Sequence, residues 1–267
     1  MIAILQWTTL AVCALVAIAR IPSALRGENR SIFGVFVLST LAILLSIDAS
    51  YQSIDARLGS SNYANLLLRF VIYGTVLLAG YRIAKAFAAQ RSMRLIAGPV
   101  GLGVLAVVGL TTVILFLLAD TAGTVTGLRT LPARSPQNAA LIESYAAAGR
   151  LYPSYVAACI LPATFAAVGQ RLPRTIRIGA LLLTVAFTCM VLASSFLLFP
   201  SELGSVEAVI NHTSALCLAL GLVFVWISSL RAKRASPGTT RGLRPLASGQ
   251  NRAAMHNPDG AGNTNGP

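Results

Sequence analysis

Charged side chains are scarce in this chain of 267 residues. Asp, Glu, Lys and Arg make up 11% of it, against about 25% in a typical soluble domain. Hydrophobic residues make up 55%, and the mean hydropathy is +0.72. Because an aqueous core cannot enclose so much apolar surface in a chain this poor in charge, lipid is the expected solvent. Composition therefore argues against an ordinary soluble protein and predicts an integral membrane protein.

Residues that hold metals or act as nucleophiles are also few. His212 and His256 are the two histidines, and the four cysteines lie inside apolar runs without CxxC spacing. The sequence contains no P-loop, no GxSxG and no HExxH motif. We therefore expect no metal site, no cofactor and no enzymatic activity.

Long apolar runs dominate the rest of the sequence. Seven of them can cross a hydrocarbon core about 30 Å thick at about 1.5 Å per residue. They cover residues 1–18, 31–47, 65–81, 95–118, 151–169, 178–199 and 209–230. The predicted fold is an all-α bundle of seven transmembrane helices over residues 1–230. No basic residue precedes the first run, so we expect it to be retained as a span rather than cleaved as a signal peptide.

The basic residues sort the connectors onto two sides. Three connectors and the C-terminal tail hold sixteen of the 21 Lys and Arg residues. The remaining five lie with most of the acidic residues on the other side. Since Lys and Arg stay in the cytoplasm, the alternation predicts an outside N-terminus and a cytoplasmic C-terminus. The net charge of +13 is then explained by topology and by anionic inner-leaflet lipids, without nucleic acid.

The segment after the last run differs in composition from the rest. Residues 231–267 are basic at first and then rich in Gly, Pro, Ser and Asn. Such a segment buries too little apolar surface to offset its chain entropy, so we predict a disordered cytoplasmic tail lying along the inner leaflet. The expected location is the plasma membrane of a bacterium, because Arg greatly outnumbers Lys in an Ala-, Leu- and Val-rich chain, which is typical of a high-GC genome.

Polar residues within or beside the predicted spans gather at the outer ends. Arg69 lies about one turn inside the third span, and Asp48 and Asp120 end the second and fourth. Asn211 and His212 open the seventh. One hypothesis is an outer pocket in which Arg69 binds an anion and His212 or Asp120 acts as a proton-linked partner. The alternative is structural: Arg69 extends to the headgroups or pairs with Asp48 or Asp120.

A second feature of the outer side is the connector between the second and third spans. Its characteristic elements are Ile54-Asp55, Leu58-Gly59, Asn62, Ala64 and Leu66-Leu67. In these elements the chain resembles a family of seven-span integral membrane proteins of high-GC bacteria, described only in general terms as transporters. The resemblance implies a seven-span layout and supplies no catalytic residues. We favour Asp55 and Asn62 as residues that cap the third span or fix the loop, over ligand binding.

These patterns predict a permease-like transporter of a small solute. A membrane sensor or receptor module and an accessory subunit of a larger membrane complex remain open as alternatives. Family members often continue into a cytosolic domain, where this chain has a tail, which weakens a signalling role. A transporter needs a polar cavity or discontinuous helices reaching the membrane centre. An accessory subunit needs only a lipid-facing stripe of small residues.

Overall fold

The computed structural model describes residues 2–27, 30–121 and 135–195, and single residues between 210 and 228. Within these ranges it contains helices and no strands. The helices are α1 (Ile2–Leu25), α2 (Arg30–Leu45), α3 (Asp48–Arg57), α4 (Tyr63–Ala86), α5 (Gln90–Ala97), α6 (Pro99–Leu118), α7 (Pro136–Gly169) and α8 (Arg174–Ser195). All of them belong to one compact unit, Met1–Trp226, and Ile227–Pro267 forms a separate unit.

Four helical segments are long and apolar enough to cross a membrane. They are Tyr63–Ala86, Gln90–Leu118, Pro136–Gly169 and Arg174–Ser194, and they overlap the predicted third to sixth spans. A fifth candidate is the pair α2 and α3, which is bent by 90°. In α1 the apolar part is shorter, Leu10–Pro22. Only about half of the residues of the predicted seventh span are described, and not as one continuous helix, so seven spans and the orientation stay predictions.

The helical core is built on α4 and α7. The largest buried cluster joins Tyr73 and Ile83 of α4 with Tyr152, Val156 and Ile160 of α7, and α5, α6 and α8 pack around it. A second cluster joins α6 to α7, and a third joins α2, α3 and α4.

Close approach of α4 and α7 depends on one small residue. A β-carbon at Gly80 would overlap the side chain of Val156, so the absence of a side chain at this position lets the two helices meet.

The helix that contains the fifth predicted span, α7, is longer than the span itself. The sequence indicates a short interfacial helix over residues 138–148, followed by the span. Instead, α7 runs unbroken for 34 residues and passes through Pro153 and Pro162. The sequence also predicts where this helix starts, because Ser135 is a residue type favoured at the N-cap and Pro136 one favoured at the first helical position. The structure confirms this start: the Ser135 hydroxyl accepts the backbone N–H of Asn138 at 3.1 Å, and Pro136 lies in the first turn.

The fourth predicted span also starts differently. The apolar run predicts a span beginning at residue 95, whereas the structure places a separate helix, α5, up to Ala97 and an extended residue, Gly98, before α6. In α5 the basic residues Arg91 and Arg94 are exposed while Ser92 and Ile96 are buried. One side of this helix thus packs against the core, while its charged side chains on the other side remain exposed.

Candidate functional site

Polar side chains gather where α3, α4 and α7 meet. We call this group the polar cluster; its members are Tyr51, Asp55, Asn62, Asn65, Arg69 and Tyr145. All but Arg69 are buried, and Arg69 is partly buried. Buried polar groups are tolerated only when they are hydrogen-bonded, and the cluster meets that condition through bonds among its own members and to neighbouring backbone.

The carboxylate of Asp55 caps helix α4. It is fully buried and accepts the backbone N–H of Asn62 at 3.1 Å and that of Ala64 at 3.2 Å. Two N–H groups that have no partner inside the helix are thereby satisfied by a negative charge at the helix N-terminus. This confirms the capping role favoured for Asp55.

Asn62 fixes the loop between α3 and α4. Its backbone is left-handed, with φ of 60°, which Asn tolerates better than most residues. Its side-chain amide donates to the carbonyl of Thr121 at 2.7 Å and accepts from the Tyr51 hydroxyl at 2.8 Å. The Thr121 hydroxyl returns a bond to the carbonyl of Ser61 at 2.9 Å. The segment that follows α6 is therefore tied to the start of α4.

The side chain of Arg69, a residue of α4, lies between α4 and α7. Its guanidinium carbon is 5.4 Å from the centroid of the Tyr145 ring, within the range of a cation–π contact. The Tyr145 hydroxyl donates to the side-chain oxygen of Asn65 at 2.9 Å. The ring is thus held in place from one side while the cation covers its face.

Glycine at position 149 makes room for that guanidinium. A β-carbon there would lie 2.5 Å from one terminal nitrogen of Arg69 and 2.7 Å from its guanidinium carbon. Any larger residue at position 149 would displace Arg69 from the ring of Tyr145.

Two of the five predicted site residues, Asp48 and Asp120, lie near this end of the bundle. Asp48 is exposed in the first turn of α3. Asp120 is exposed, and its backbone exchanges two hydrogen bonds with the side chain of Asn138, at 2.8 and 3.1 Å. Both structural alternatives for Arg69, extension to the headgroups and pairing with Asp48 or Asp120, stay predictions. Asn211 and His212 lie outside the described residues.

The residues that sequence reasoning missed are Tyr51, Asn65, Tyr145 and Gly149. None of them is charged, so the charge pattern does not single any of them out. A usable signal existed in α7, where Tyr145 and Gly149 are four residues apart and therefore share one helix face.

A groove of about 440 Å³ opens beside the polar cluster, between α4 and α6. Phe70, Gly74, Ala106 and Gly109 are among its lining residues. The lining is almost wholly apolar, and its small residues permit close approach by a lipid chain or another helix.

Comparison of the chain with protein-family models, with curated proteins and with solved structures gave no match.

Proposed function

We propose that this chain is a seven-span permease-like protein of the cell membrane that binds a small anionic solute at Arg69. The observation that carries the proposal is a partly buried guanidinium held between α4 and α7 by an aromatic ring and a glycine. A cation within a membrane span is costly unless it is compensated, and in this proposal an anionic solute supplies a compensating charge.

The helix bend near the polar cluster supports a transport role. The pair α2 and α3 is bent by 90°, and Tyr51 of α3 is part of the cluster. Transporters commonly build their solute sites from such discontinuous helices, because a break exposes backbone groups to the solute. The outside N-terminus, the cytoplasmic C-terminus and the plasma-membrane location are part of this proposal and are supported by the charge bias of the connectors.

Thermal unfolding of the detergent-purified protein tests the anion site. Phosphate, sulfate, nitrate, acetate and succinate are each added in excess to the wild type and to the R69Q and R57Q variants. Arg57 is the matched control, because it ends α3 at the same end of the bundle and is exposed. An anion at about ten times its Kd raises Tm by roughly 3–5 °C in the wild type and R57Q. R69Q loses that rise.

Two results count against the proposal. If none of the anions raises Tm, or if R69Q responds as fully as R57Q, Arg69 is not an anion site. Uptake of the stabilising anion into vesicles then separates a permease from a receptor that binds without transport.

A second candidate, an accessory subunit, is favoured by the apolar groove between α4 and α6. Gly74, Ala106 and Gly109 make this face suited to a helix of another membrane protein. Copurification of one partner with wild type, and its loss with the A106L variant, would support this role.

A further inference from the structure

A shallow groove of about 280 Å³ lies where α7 ends and α8 begins. Val168, Arg174, Arg177, Ile178 and Leu181 line it. The last four stand at positions i, i+3, i+4 and i+7, which form one face of a helix. This face of α8 is therefore cationic in its first turn and apolar in the next.

The apolar part of the groove continues along α8. Ile178, Leu181 and Val185 are exposed by 44%, 50% and 38%. They follow one another at helical spacing over about 10 Å at 1.5 Å per residue. That distance fits within one leaflet of a hydrocarbon core about 30 Å thick.

The cationic part is held at the end of α7. The Nε–H of Arg177 donates to the carbonyl of Val168 at 3.1 Å. This bond links the guanidinium to the neighbouring helix and holds it beside the groove. Arg174 stands one turn before it and is also exposed, so two guanidinium groups flank one small apolar groove.

We propose that this groove binds one anionic phospholipid of the surrounding bilayer. The phosphate lies between Arg174 and Arg177, since guanidinium groups match phosphate oxygens in charge and geometry. An acyl chain follows Ile178, Leu181 and Val185. The charge bias of the connectors assigns this end to the cytoplasmic side, where anionic lipids are abundant.

The apolar lining favours a lipid over a free phosphate ion. A free ion would gain from the two arginines and nothing from Ile178 or Leu181, whereas a phospholipid gains from both. The site also lies far from the polar cluster, because Val168 follows Tyr145 along α7 by about 35 Å at 1.5 Å per residue. The inference therefore does not depend on the anion site at Arg69.

Native mass spectrometry of the full chain in neutral detergent tests the site. Phosphatidylglycerol and phosphatidylcholine are titrated separately into the wild type, R174Q/R177Q and K85Q/R94Q. The control pair removes the same charge from exposed positions near the ends of α4 and α5. We expect the wild type and K85Q/R94Q to retain one phosphatidylglycerol. We expect R174Q/R177Q to bind phosphatidylglycerol about 10- to 30-fold more weakly, because each arginine near an anionic surface contributes about 1 kcal/mol to binding.

Three outcomes overturn the proposal. If the wild type retains phosphatidylcholine as well as it retains phosphatidylglycerol, the groove does not select an anionic lipid. Equal weakening in both double variants indicates general electrostatic attraction. Displacement of the lipid by millimolar inorganic phosphate indicates a free-anion site. If R174Q/R177Q does not fold, R174Q is compared with R94Q in the same way, because R174Q keeps the bond from Arg177 to Val168.

Discussion

At the residue scale, Gly149 and Arg69 depend on each other. The guanidinium fills the space that a side chain at position 149 would occupy, and the ring of Tyr145 covers it at 5.4 Å. Arginine is well suited to this position, because its planar and weakly hydrated cation stacks on aromatic rings more readily than an ammonium does.

The G149A variant tests that dependence. A methyl group at position 149 should make the guanidinium of Arg69 shift away from the ring of Tyr145, which costs about 0.5–2 kcal/mol of cation–π interaction and is offset only in part by the gain in helix propensity of up to about 1 kcal/mol. The net Tm should therefore fall. G169A is the control, since nothing lies within 4 Å of a β-carbon there, and its Tm should not fall.

A double-mutant cycle separates the contact from a general effect of alanine in α7. In the R69A background, G149A should no longer lower Tm, because the overlapping group is gone. An equal fall of Tm in both backgrounds would show that Gly149 serves another purpose.

At the scale of helices, the start of α4 depends on a residue of α3. Asp55 uses one carboxylate oxygen for the N–H of Asn62 and the other for that of Ala64. An asparagine at position 55 has only one acceptor oxygen, and its amide nitrogen would face an N–H donor. The cap thus requires a carboxylate rather than any polar residue of similar size.

The D55N variant should therefore be destabilised by about 1–3 kcal/mol, the cost of a buried hydrogen bond lost with one group left unsatisfied. Hydrogen exchange of a peptide covering residues 60–66 should become faster, while a peptide in the middle of α7 should be unchanged. D48N provides the comparison and should cost at most about 1 kcal/mol, because Asp48 is exposed in the first turn of α3. Unchanged exchange at residues 60–66 in D55N would contradict the capping role.

The same elements show how far sequence reasoning reaches. Four long apolar helices, the N-cap at Ser135 and the capping role of Asp55 followed from hydropathy and residue type, because these are local properties. The helix α3, the unbroken α7 and the contact of Arg69 with Tyr145 and Gly149 did not. They depend on which helices become neighbours, and the hydropathy pattern carries no information about that.

At the scale of the whole molecule, charge and hydropathy predict one arrangement in the membrane. Most basic residues lie in the connectors that follow the first, third and fifth predicted spans, and in the tail. Four or five described helical segments have the length and composition of spans. An outside N-terminus with seven spans is the prediction that satisfies both observations, since it places sixteen of the 21 Lys and Arg residues on the cytoplasmic side.

Reporter fusions test this arrangement. Alkaline phosphatase fused after residue 60 should be active, because that position is expected outside, and a fluorescent protein fused after residue 240 should fluoresce in the cytoplasm. Phosphatase fused after residue 88 is the control and should be inactive. If the fusions at 60 and 240 report the same compartment, the seven-span arrangement is wrong.

The bonds of the polar cluster also set an order of events during synthesis. Asn62 and its partner Thr121 are 59 residues apart, and Asn65 and its partner Tyr145 are 80 apart. At about 5–20 residues per second, the ribosome needs roughly 4–16 s to cover the longer interval. Until α7 emerges, Asn65 and Arg69 must find temporary partners in water, in the insertion machinery or among headgroups. Nascent chains that stall before residue 145 should therefore be preferred substrates of membrane proteases.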